Sequence, residues 1–165
     1  MKPVFLIAVL ALAACDGGAS AVASRDHSSA AAIAPVETAA AEARQAPAPL
    51  VGGKPMWSSN SRYTARENAQ YHFDRDGETF GAASLDEFVQ KAHAFTASPP
   101  KGALTLTRAN GDKLVYDPAS NTFAVATRDG APRTMFKPDD GMAYWEKQKA
   151  DLNRQASRRP RDSEG

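Results

Sequence analysis

Every aromatic side chain but Phe5 lies at or beyond Trp57, so any hydrophobic core in this 165-residue chain has to come from its last two-thirds. The stretch before it, residues 15–55, is dominated by Ala, Ser and Pro and includes the Ala-Pro repeat Gln45-Ala46-Pro47-Ala48-Pro49. Such a composition buries too little apolar area to offset the entropy of ordering the backbone. It reads as a disordered tether, and a coil of about 40 residues reaches roughly 35 Å. Alanine propensity supports a transient helix at residues 39–44, but that helix has no apolar face to pack. One α+β domain is expected over residues 56–155, long enough for a single modest core, with a basic flexible tail at 156–165 carrying Arg158, Arg159 and Arg161.

Within the domain the hydrophobic period changes from helical to alternating. Residues 65–73 and 84–96 read as helices. The second opens on Ser84 with Glu87 three residues on, a capping box, repeats Leu85, Phe88, Val89, Ala92 and Phe95, and stops at Ser98-Pro99-Pro100. Strand-like runs follow at 103–108, 113–116, 122–127 and 133–137. Asn110-Gly111 is a two-residue hairpin signal, Asp117-Pro118-Ala119-Ser120-Asn121 a turn, and Asp129-Gly130 another. Residues 141–154 read as a last helix, with Met142, Tyr144, Trp145 and Leu152 available to pack. The expected architecture is N-terminal helices on a four-stranded antiparallel meander, then a C-terminal helix. One sheet face is expected under helix, leaving the other face and the rim for a ligand.

The N-terminus carries a different signal. After Met1-Lys2-Pro3 an apolar run ends in small residues at Ala13-Ala14, the pattern of a signal peptide over residues 1–14. The run is about half the roughly 20 residues a membrane-crossing helix needs. Leu12-Ala13-Ala14-Cys15 resembles the lipobox of bacterial lipoproteins. That resemblance implies cleavage before Cys15 and acylation of its thiol, with each buried methylene contributing about 0.8 kcal/mol of attachment. Cys15 is the only cysteine, so no intramolecular disulfide forms. Asp16 resembles the inner-membrane retention residue of some lineages. The expected location is the cell envelope, on the inner or outer membrane, with the domain in the periplasm.

Two stretches of the domain resemble the colicin D-like toxin domains, within the wider group of barnase, EndoU and RelE ribonucleases. The first runs Tyr71-His72-Phe73-Asp74-Arg75-Asp76-Gly77-Glu78-Thr79-Phe80-Gly81. The second combines Tyr116-Asp117-Pro118-Ala119-Ser120-Asn121-Thr122-Phe123 with Gly130 and Arg133-Thr134-Met135-Phe136-Lys137-Pro138. The resemblance implies metal-independent RNA cleavage, in which the ribose 2′-hydroxyl attacks the adjacent phosphate to leave a 2′,3′-cyclic phosphate. That chemistry needs an acid or base near the hydroxyl and cations near the phosphate. The implied catalytic residues are His72, Arg75, Thr134 and Lys137, with Arg133 and Phe136 in binding. Where the family places a histidine before the glycine, this chain has Asp76, a carboxylate that repels phosphate. Alternation puts Thr134 and Phe136 on one strand face and Arg133, Met135 and Lys137 on the other, unless the strand bulges.

Other chemistries find little footing. The net charge is +1, far from the basic surface that nonspecific nucleic-acid binding requires. The three histidines are scattered, with His27 in the tether and His93 beside an apolar stripe, so neither a metal nor a cofactor is expected. No Walker loop and no Gly-x-Ser-x-Gly elbow occurs. The favoured expectation is an envelope lipoprotein with a non-catalytic or divergent domain, held to the membrane through Cys15 and engaging an envelope protein partner. The alternative is a ribonuclease acting on RNA.

Overall fold

The computed structural model describes residues 33–158, so the leader, Cys15 and most of the basic tail lie outside the described residues. Helix α1 (Ile33–Gln45) is followed by a short hairpin, β1 (Leu50–Val51) with β2 (Lys54–Pro55), then α2 (Ala65–Asp76), a 3-10 turn (Glu78–Phe80) and α3 (Leu85–Ala97). Strands β3 (Leu104–Thr107), β4 (Lys113–Asp117), β5 (Thr122–Ala126) and β6 (Pro132–Phe136) precede α4 (Met142–Arg158). The sheet is an antiparallel meander in the order β3-β4-β5-β6, as the sequence leads one to expect. Among the described residues no helix is long and apolar enough to cross a membrane.

Local chemistry fixes the helix ends. At α2 the Thr64 hydroxyl accepts from the Glu67 N–H at 3.3 Å, while the Glu67 carboxylate accepts from the Thr64 N–H at 2.9 Å, a reciprocal capping box. The helix runs past the expected end at Phe73 to Asp76 and stops at Gly77. At α3 the Ser84 hydroxyl caps the Glu87 N–H at 3.2 Å, but the Glu87 carboxylate reaches back to the Ala83 N–H at 2.8 Å. The box expected there is therefore displaced by one residue.

The strand turns differ from a two-residue hairpin. The Arg108 N–H donates to Asp112 O at 2.8 Å and the Gly111 N–H to Arg108 O at 2.9 Å, which leaves the three residues Ala109, Asn110 and Gly111 in the loop. Gly111 takes φ of 90°, the left-handed residue such a loop requires. Thr127 and Ala131 frame the β5–β6 loop in the same way.

Two findings revise the expected layout. First, part of the segment read as tether is structured. Val51 of the β1–β2 hairpin and Met56 are buried in the core with Trp57, so the folded unit starts before Trp57. Helix α1 is a full element, though its described side chains are largely exposed, Val36 among them at 71%. Second, both faces of the sheet are covered. Val115, Ala124 and Met135 face α2, α3 and the hairpin, while Leu114, Tyr116, Phe123 and Val125 face Trp145 and Tyr144 of α4. Every position of β5 is buried, the pattern of a strand between two layers rather than of one with a wet face. A ligand is therefore left with the rim.

Candidate functional site

The last two turns of α2 carry Tyr71, His72, Arg75 and Asp76, and α2 lies against β6, the edge strand. Spacing of three and four residues puts His72, Arg75 and Asp76 on one side of the helix. The Arg75 guanidinium donates to Asp76 Oδ2 from Nε at 2.9 Å and Nη2 at 2.6 Å. Nη2 also lies 3.2 Å from His72 Nδ1. Arginine has only donors, so His72 Nδ1 must accept and the imidazole proton sits on Nε2.

His72 is 8% exposed, its ring 5.4 Å from those of Trp57 and Tyr71. Burial, then the adjacent Arg75 charge, pushes its pKa down to about 4 against the pull of Asp76. The ring is consequently neutral at physiological pH. It cannot donate a proton as a general acid, and the nitrogen left for a substrate carries hydrogen rather than a lone pair. A base with that tautomer is facing the wrong way.

Arg75 has a second role as a bridge between elements. Its guanidinium carbon stands 5.5 Å from the Tyr71 ring centre and 5.8 Å from that of Phe136 on β6. Tyr71 stacks on Tyr63 at 5.7 Å, and Arg62 caps that ring at 5.8 Å. Arg62, Tyr63, Tyr71, Arg75 and Phe136 thus form a continuous ladder, two stacked tyrosines held between two guanidiniums with the second resting on Phe136 of the edge strand, and Tyr71 is 46% exposed. Tyr71 opens the first colicin D-like stretch but neither it nor Tyr63 has a role in the sequence pattern, although the four-residue interval from Tyr71 to Arg75 is a signal for their contact.

Of the implied catalytic residues, the structure brings together His72 and Arg75, with Phe136 as their neighbour. Lys137 extends instead over Phe80, its ammonium 6.0 Å from the ring centre. Thr134 pairs with Val125 across the sheet and makes no side-chain hydrogen bond among the described residues. Arg133 sits in a bulge, since Val125 pairs with Thr134 while Ala126 pairs with Pro132. The bulge breaks the expected strict alternation. Arg133 Nε lies 3.0 Å from the buried Asp112 Oδ2, an ion pair without hydrogen-bond alignment that ties β6 to the β3–β4 loop. Its carbonyl accepts from Trp57 Nε1 at 3.0 Å. Arg133 is therefore committed to holding the fold. His93, likewise, joins α3 to the hairpin through Nε2 and Pro55 O at 2.9 Å. Among the described residues no three His, Cys, Asp or Glu side chains are grouped to hold a metal.

The histidine and arginine that RNA cleavage would need thus spend their polarity on each other and on Asp76. No protein-family model matches this chain, and no curated protein matches it.

Proposed function

We propose that this chain is a bacterial envelope lipoprotein, anchored through lipid on Cys15, whose periplasmic α+β domain binds a protein partner and does not cleave RNA. The observation that carries the non-catalytic reading is the His72–Arg75–Asp76 cluster. The cation that would meet a phosphate is neutralised by a carboxylate at 2.6 Å, and the imidazole is held neutral in the tautomer unsuited to a base. An arginine already paired in this way offers a phosphate only part of its charge. What remains open at the sheet edge is the Arg62–Tyr63–Tyr71–Arg75 ladder, a mix of Tyr and Arg surfaces of the kind enriched at protein interfaces. The colicin D-like resemblance of these same stretches supplies the alternative, a scaffold still able to cut.

The purified full chain is incubated with total tRNA in EDTA, beside the Asp76→His variant, which restores the residue order the resemblance implies. No cyclic phosphate from the native chain is expected. Cleavage by the native chain that disappears in His72→Ala would establish the ribonuclease instead. Mass spectrometry of the native protein is expected to find Cys15 acylated at the mature N-terminus, and an intact leader would remove the envelope assignment.

A further inference from the structure

At the opposite end of the strands from Phe136, a cleft of about 440 Å³ opens between the β1–β2 hairpin, the last turns of α3 and the β3–β4 and β5–β6 loops. Lys54, Lys113 and Arg128 line it, against the single carboxylate of Asp129. None of the three cleft cations is ion-paired among the described residues. The Lys54 ammonium makes no hydrogen bond there either. Lys113 donates to Thr96 O at 2.8 Å, which leaves two of its three N–H groups. Arg128 reaches Asn110 O from Nη2 at 3.4 Å.

The position of Arg128 depends on a glycine. A Cβ on Gly111 would fall 2.5 Å from Arg128 Nε, so the bare backbone of that loop is what allows the guanidinium to lie across it at the cleft mouth. His93, on the α3 wall, holds the hairpin wall in place through Pro55 O. Burial, chiefly, and the Lys54 charge keep its ring neutral, so it adds shape without adding charge.

We infer that this cleft is a binding site for a small dianionic molecule, one bearing a phosphomonoester or a pair of carboxylates, with Lys54, Lys113 and Arg128 as its anion-binding residues. Three cations against one carboxylate leave a net charge that a dianion balances. The volume lies within the range of small-molecule sites, and cations contributed to one cleft by three separate elements can meet an oxyanion from several sides. With an overall charge near zero, the attraction is local to this cleft and is not a property of the whole surface. The site is separate from the α2–β6 edge and does not depend on the reading of that edge.

Inorganic phosphate and succinate are titrated separately into the full chain in detergent at low ionic strength, and amide shifts are followed by NMR. Saturable shifts at Thr127, Gly130 and Ala97 are expected with at least one of them, and which one binds identifies the oxyanion. Lys54 and Arg128 are both exposed, so each is replaced without disturbing the core. Lys54→Gln and Arg128→Gln should each weaken binding about tenfold or more, since hydrogen bonds to charged groups contribute about 1.5–3 kcal/mol. Lys147→Gln, an exposed cation of α4 on the opposite face of the sheet, should leave it unchanged. Non-saturating shifts with both anions, or affinity that survives Lys54→Gln and Arg128→Gln combined, would overturn the assignment.

Discussion

His72 is held with a pKa near 4, against about 6.5 for an unfolded histidine, because burial and the Arg75 charge both oppose its protonation. The folded state therefore binds fewer protons than the unfolded state between those values. The stability it protects is fully present above about pH 6.5 and is lost as pH falls toward 4. Urea unfolding should show about 2 kcal/mol less stability at pH 5 than at pH 7 from this residue, a loss that His72→Gln reduces. His93, whose pKa is lowered chiefly by burial, contributes in the same sense. Gly77 is a second test, at a buried position. Its φ of −55° is ordinary, yet a Cβ there would stand 2.5 Å from the Phe73 ring and 2.6 Å from Phe73 O. Gly77→Ala should cost about 1–3 kcal/mol through overpacking, read from the urea midpoint. The pairing of His72 with Arg75 was legible because both lie on one helix at a fixed interval. The place of Arg133 was not, because a bulge is decided by cross-strand hydrogen bonding that no single strand's pattern encodes.

At the level of elements, four strands, three helices and their order followed from periodicity and turn residues. The β1–β2 hairpin did not. Its strands have two residues each, too few for any period, and only the burial of Val51 and Met56 reveals that they belong to the core. Each buried aliphatic side chain contributes roughly 1.5–3 kcal/mol. A chain beginning at Trp57 should accordingly be about 3–5 kcal/mol less stable than one beginning at Ala46, measured by chemical denaturation of the two side by side. Equal stability would show that the hairpin is an ornament. The covered second sheet face was missed for a related reason. Buried positions at both parities of β5 look like imperfect alternation until a layer is found on each side.

On the scale of the whole molecule, one sheet serves two cores, and this decides how the domain comes apart. Trp57 lies in the core under α2, α3 and the hairpin, whereas Trp145 of α4 lies in the core on the opposite face, its ring 6.0 Å from that of Tyr116. Ala124 and Met135 face the first core while Phe123 and Val125, which flank Ala124 on β5, face the second. Removing either layer exposes one side of β4 and β5, so neither core survives as an independent unit. Loss of Trp145 should therefore be felt across the sheet. Trp145→Ala is expected to cost about 3–5 kcal/mol, and Trp145→Phe keeps an aromatic ring in the core while leaving Trp57 as the sole tryptophan, excited selectively over the tyrosines. In that second variant the Trp57 fluorescence transition and the far-ultraviolet circular dichroism transition in urea should coincide, the mark of two-state unfolding. If Trp57 kept its folded signal while the helical signal of α4 was lost, the sheet would be acting as a wall between two separately stable halves.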